Sequence, residues 1–307
     1  MGAETAPDRP PADAAAPFYG PESEAWRLSR EAMLLLGAGP RALLLQIAHP
    51  LVAAGVAEHS DFRSDPWARL AGTLRSYLRI VYGSGPAARA EVRRLEALHR
   101  RVRGTVLEPA AAARFGSRYS ARDPGLALWV HATLVDSTLV AYDAWIEPLT
   151  PDRRAAFYAE TVAVGRAFGI PPDRLPRDID AFDAYVAGML APGGEAQVGD
   201  TARGLADTIL HPPLGPAAAA AGAIGEVLAP LLDVIPPVLY GWLFWPAIGL
   251  LPPTVRAGYR LPWGPRERLV SAWLVTTWRV GRTVFPASIR QMPQALAADR
   301  RVGREAG

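Results

Sequence analysis

What most restricts this chain is where its prolines fall. Its apolar stretches are entered through a small polar residue followed at once by proline, as in Ser64-Asp65-Pro66, Asp123-Pro124 and Thr150-Pro151. At the first position of a helix proline costs nothing, because that N–H has no intrahelical acceptor and φ is already helical; further in it breaks the ladder. The same stretches are closed by glycine, at Gly83, Gly104 and Gly169, the residue that most readily turns a chain out of a helix. No segment alternates apolar and polar residues with Val, Ile and Thr over six residues, as a half-buried strand would. The expected fold is all-α. Helices are predicted from Pro66 to Gly83, Pro86 to Arg103, Pro124 to about Ile146 and Pro151 to Gly169. More are predicted near Asp178–Leu190, Thr201–Leu210, Pro216–Asp233 and Pro265–Val284. We expect one multi-helix domain over residues 21–295, a disordered N-terminal tail over 1–20 and a C-terminal tail over 296–307.

Composition removes several chemistries. The 307 residues contain no cysteine, which excludes thiolate nucleophiles, disulfides, iron–sulfur clusters and thiolate-ligated haem. All 33 basic residues are arginine, so there is no lysine for a Schiff base or a phosphate-binding loop. The net charge is only +3, and no arginine run is interleaved with aromatics, so nucleic acid is not an expected partner. The N-terminal residues have no apolar signal core, and in "MGAETA" Ala6 stands where a myristoylation signal needs Ser or Thr. The expected location is cytoplasmic, with possible peripheral membrane contact.

That contact is expected through Val227–Leu251, a 25-residue apolar window whose one charge is Asp233. Four prolines divide it into pieces shorter than the roughly 20 residues a span needs. A broken hairpin, packed in the core or lining an apolar entrance, is the expectation.

The five histidines carry the functional question. Val92, Leu95, His99 and Val102 recur on one helix face, which places His99 on the buried side. It is a satisfied core residue or a metal ligand. Glu96 precedes it by three, giving one E-x-x-H unit, whereas carboxylate di-iron bundles use two. His131 and Asp136 lie on a helix that is apolar nearly all round, hence central. His49 precedes Pro50, a position disfavouring helix, so it marks a break between two apolar helices. Arg69 and Thr73 share a helix face, with Thr73 and Tyr77 expected inward and Arg75 and Arg79 outward. His59 reads as a loop or rim residue, and His211 has no role assigned.

The segments "LLLQIAHPLVAAGVAEHSDFRSDPWARLAGTLRSYLRIVYGS", "LHRRVRGT" and "YSARDPGLALWVHATLVDSTLVAYDAWIEPLT" resemble the DUF2236 family, the MpaB-like or rubber-oxygenase catalytic domain, which includes the latex clearing proteins. The resemblance covers about residues 25–260. It implies an all-α domain around a buried b-type haem. It also implies that His99 is the proximal iron ligand and that Arg69 and Thr73 lie on the distal side. The family's distal lysine falls on Gly72, so the sixth position is open, aquated or filled by another group such as His49. The family's catalytic glutamate has no match, Glu58 being the nearest acid.

The resulting expectation is a haem b-dependent oxygenase or oxidase acting with O2 on an apolar small molecule. His99 would hold the iron, Arg69, Thr73 and His49 would serve catalysis, and His131 would line the cofactor pocket. The alternatives are a haem- or lipid-binding helical protein without turnover, and a non-haem iron enzyme built on Glu96 and His99.

Overall fold

The computed structural model describes residues 16–60, 66–212 and 241–305. The predicted helix at Pro216–Asp233, residues 227–240 of the apolar window and the cap Ser64-Asp65 lie outside the described residues, as do positions 1–15.

The chain opens with α1 (Glu24–Ser29), α2 (Ala32–Ala48), α3 (Pro50–His59), α4 (Pro66–Tyr82) and α5 (Gly85–His99). Two three-residue strands, β1 (Arg103–Thr105) and β2 (Arg118–Ser120), flank α6 (Pro109–Phe115) and pair antiparallel, with Gly104 opposite Tyr119. Then follow α7 (Pro124–Trp145), α8 (Pro151–Ala167), α9 (Ile179–Leu190) and α10 (Asp200–Leu210). After a 3-10 turn at Gly241–Phe244 come α11 (Trp245–Gly249), α12 (Pro253–Gly258), α13 (Pro265–Val284), α14 (Ala287–Arg290) and α15 (Pro293–Glu305).

The helix starts are built as the proline pattern predicts. Asp123 accepts from the N–H groups of Gly125 and Leu126 ahead of Pro124, and Thr150 accepts from Arg153 N–H ahead of Pro151. Each cap satisfies donors that the first turn leaves open. Among the described residues β1 and β2 are the only paired strands, so the fold is all-α, and the described helices form a single domain.

The core is organised on α7, which packs along α2. Trp129, Val135, Leu139 and Trp145 are buried on α7, as are Leu44, Leu45 and Ile47 on α2. The polar content of α7 is accounted for in part by Asp136, which accepts from Arg41 Nη1 at 2.7 Å; the same nitrogen donates to Ser137 at 2.8 Å and Arg41 Nε donates to the Leu250 carbonyl. A buried guanidinium with every bond aimed at a fixed acceptor locks one register between the two helices. Among the described residues α7 is the one helix long and apolar enough to cross a membrane, and it is mostly buried inside the protein.

The chain's ends differ from the expected tails. Tyr19 is buried and Phe18 packs against the main core. Residues 293–305 form a docked helix: Ala295 and Ala298 are buried, Trp26 Nε1 donates to Asp299 at 3.0 Å, and Arg301 donates to the Tyr82 carbonyl. The C-terminal tail expected from 296 is therefore corrected to part of the fold. Its many charges mislead because Ala295, Ala298 and Val302 make a narrow apolar face among them.

Candidate functional site

The site is produced by a hairpin. α4 and α5 run antiparallel, joined at Gly83-Ser84, so residues equidistant from that turn face each other. Ser76 donates to Glu91 at 2.6 Å, and Arg94 closes on the same carboxylate at 2.5 Å. This buried, charge-assisted lock fixes the register. Carried outward, the register sets Arg69, near the start of α4, beside His99, at the end of α5.

The two groups are near enough to interact electrostatically. The His99 pKa is lowered, first by desolvation and then by the Arg69 guanidinium, with Glu96 opposing. The ring is nonetheless exposed. The helical stripe is graded, with Val92 buried, Leu95 half-buried and His99 open. The expectation of a buried His99 is corrected accordingly: the stripe runs past the end of the core.

Arg69 is held in place. Its Nε donates to Ser60 Oγ at 3.2 Å, and Nη1 approaches Thr73 Oγ1 at 3.5 Å. The Thr73 hydroxyl donates back to the Arg69 carbonyl at 3.0 Å, a bond one helical turn makes available. Both residues are exposed, so the expectation that Thr73 points inward is overturned. One turn on, Tyr77 turns into the protein and shares a hydrogen bond with Ser29 at 2.7 Å. Between them, Gly72 borders open space: a Cβ there would meet nothing within 4 Å.

The end of α3 supplies a further wall, which sequence reasoning did not assemble. Glu58 accepts from the Tyr119 hydroxyl at 2.5 Å, two residues before the Ser60 that holds Arg69. The β1 backbone passes so close that a Cβ on Gly104 would fall 2.2 Å from Glu58 and 2.6 Å from the Tyr119 hydroxyl, so a larger residue there would push this carboxylate–hydroxyl pair aside. His59 Nε2 lies 3.1 Å from the Arg103 carbonyl, as suits a rim residue. The signal for this wall was the "RGT" of β1 opposite "RYS" of β2, strands too short to register as periodicity.

The other histidines lie apart. His49 is 2 % exposed and sits where α2 and α3 meet at 107°. It caps α3, its Nδ1 accepting from Leu51 N–H at 3.2 Å, and its Nε2 lies 3.6 Å from Glu195. Burial lowers its pKa while Glu195 opposes. Its charged neighbours are Glu195, Asp123 and Arg114, not the Arg69–His99 pair. His131 is buried at Nε2 with no hydrogen-bond partner among the described residues, and burial pulls its pKa down to about 4. That nitrogen lies against Gly165 of α8, where a Cβ would come within 3.4 Å. His211 caps α10 and pairs with Asp207 at 2.7 Å. Among the described residues no three His, Asp or Glu gather as a metal site. Two surface depressions, one along α8 by Ala155, Tyr158 and Val162, the other between Phe18, Arg89 and Glu96, do not include His99.

Residues 26–282 match the family described as ER-bound oxygenase mpaB/B' and rubber oxygenase, catalytic domain. The chain belongs to this oxygenase family. The match in the MpaB/rubber-oxygenase family runs from within α1 to the last turns of α13 and so includes Arg69, Thr73 and His99. Two uncharacterised proteins, from Mycobacterium bovis and Mycobacterium tuberculosis, are each 26 % identical over 250 residues, covering 80 % of this chain and 87 % of theirs. No solved structure matches the chain.

Proposed function

We propose that this oxygenase-domain protein is a haem b-dependent oxygenase or oxidase acting on an apolar substrate, with His99 as the axial donor. The observation that carries the reading is the pairing of an exposed imidazole with a tethered guanidinium. Three features support the fit. A lone histidine suits a porphyrin, which brings four nitrogens of its own, and does not suit non-haem iron on Glu96 and His99, which needs more protein donors than gather here. The lowered His99 pKa keeps the ring neutral at physiological pH, with its lone pair free to donate. The open space at Gly72 leaves room beside α4.

When bound, the haem would supply the oxygen chemistry. The chain's residues do the rest. Arg69, held by Ser60 and Thr73, would bring a fixed positive charge to the haem's side of His99, where it would favour anionic groups such as a propionate carboxylate. Glu96 sits on the His99 side and favours positive charge there. The half-buried Leu74 and Leu95, on the helices that carry Arg69 and His99, pack against the main core cluster. The test is addition of hemin to the purified protein, read by absorption and by dioxygen uptake with unsaturated hydrocarbons. A Soret band with uptake supports the reading. A Soret band without uptake leaves a haem-binding protein, and a protein that takes up iron but no porphyrin removes the haem altogether.

A further inference from the structure

Of the large apolar side chains exposed among the described residues, all but Leu98 and Leu107 lie between Leu243 and Ile289. They are ordered as well as clustered. Leu269, Trp273, Val280 and Val284 follow at spacings of four, seven and four along α13, which puts them on one face. Trp273 is 58 % exposed and Leu269 72 %. The opposite face of α13 packs Val275 and Trp278 on the core, so the exposed stripe is a second apolar face. Trp242 meets Trp273 at 6.5 Å between ring centroids, extending the surface to the 3-10 turn.

Charge indicates the occupant. Residues 256–290 contain seven arginines and one acid, Glu267, whose carboxylate already caps α13 through Gly264 N–H at 2.7 Å. Among the described residues only Arg282 of the seven pairs with a carboxylate, Glu31 at 2.9 Å. Arg266 lies on the stripe's own face, over the Trp245 ring at 5.4 Å, whereas Arg268 and Arg279 fall by helical spacing nearer the packed side, where Arg279 donates to the Ala144 carbonyl at 2.6 Å. We propose that α13 is an interfacial helix that docks this protein on an anionic lipid bilayer. Its apolar stripe would enter the headgroup boundary, tryptophan would sit at the interface and the arginines would meet phosphate. A second copy of the chain is the poorer partner, since a two-fold contact would set this arginine-rich helix against itself. The proposal does not depend on the haem reading.

The test is flotation of the full chain with phosphatidylcholine vesicles, with and without about three-tenths phosphatidylglycerol. Binding to the anionic vesicles alone, weakened by salt, is expected. Arg266→Gln should lower that binding about fivefold, as expected for one arginine near the surface. Leu269→Asp with Trp273→Asp should abolish it, with circular dichroism and the thermal midpoint unchanged. Failure of the wild-type chain to float, equal flotation of the variants, or a wild-type dimer that the Asp variant dissociates would each overturn the proposal.

Discussion

Replacing His131 by methionine should stabilise the protein and flatten its response to acid. In the fold the His131 Nε2 is buried without a partner, which costs about 1–3 kcal/mol at neutral pH. Methionine fills a similar volume with no polar nitrogen, at a packing cost of less than about 1.5 kcal/mol. The pH effect is of the same order. The ring's pKa is about 4 in the fold and near 6.5 in the unfolded chain. Between those values the unfolded chain takes up a proton that the folded chain refuses. The unfolded state then binds more protons, so stability falls as pH falls. From about pH 7.5 to pH 5 this one group costs the wild type about 2 kcal/mol, at roughly 1.4 kcal/mol per pKa unit. Carboxylates titrate in the same range in both proteins, so the difference between two urea-denaturation series isolates His131. Wild type minus His131→Met should change by about 2 kcal/mol across that interval. Parallel pH profiles would refute the reasoning, because they would mean that the folded ring protonates normally and Nε2 has a partner.

Arg69→Gln removes the cation beside His99, so the His99 pKa should rise toward the ordinary imidazole value, read by NMR titration of the ring protons; no rise would mean the two do not face each other. Gly72→Lys places an amine beside α4 where a side chain meets nothing; hemin-loaded variant should shift toward a six-coordinate low-spin spectrum, and an unchanged spectrum would put Gly72 away from the iron. Glu91→Ala removes the acceptor that Ser76 and Arg94 share, and should cost about 2 kcal/mol in denaturant melts; a loss within error would deny the hairpin lock its role.

The helices were readable because their starts carry local chemistry. Asp123, Thr150 and Asp178 cap through their own side chains, and that is written in three or four consecutive residues. The opposition of Arg69 and His99 was not readable in the same way. It depends on the antiparallel register of α4 and α5, which the long-range Ser76–Glu91 contact sets. Periodicity gave the face of His99 but not its depth, since a stripe continues in sequence after the core beneath it has ended. His49 was placed correctly at a helix break, yet its capping bond to Leu51 and its proximity to Glu195 only appear once α2 and α3 bend. The arginine and tryptophan content of 256–290 was visible throughout, but only the packing of Val275 and Trp278 shows which face of α13 is left over.

The account rests on His99 as the nitrogen that holds the cofactor, and one measurement addresses it: hemin titration of the wild type, His99→Ala and His211→Ala, followed by absorption. The wild type and His211→Ala are predicted to saturate with the same Soret band, while His99→Ala loses that band or shifts it. A His99→Ala spectrum that matches the wild type, with binding abolished instead by His131→Ala or His49→Ala, would contradict the assignment.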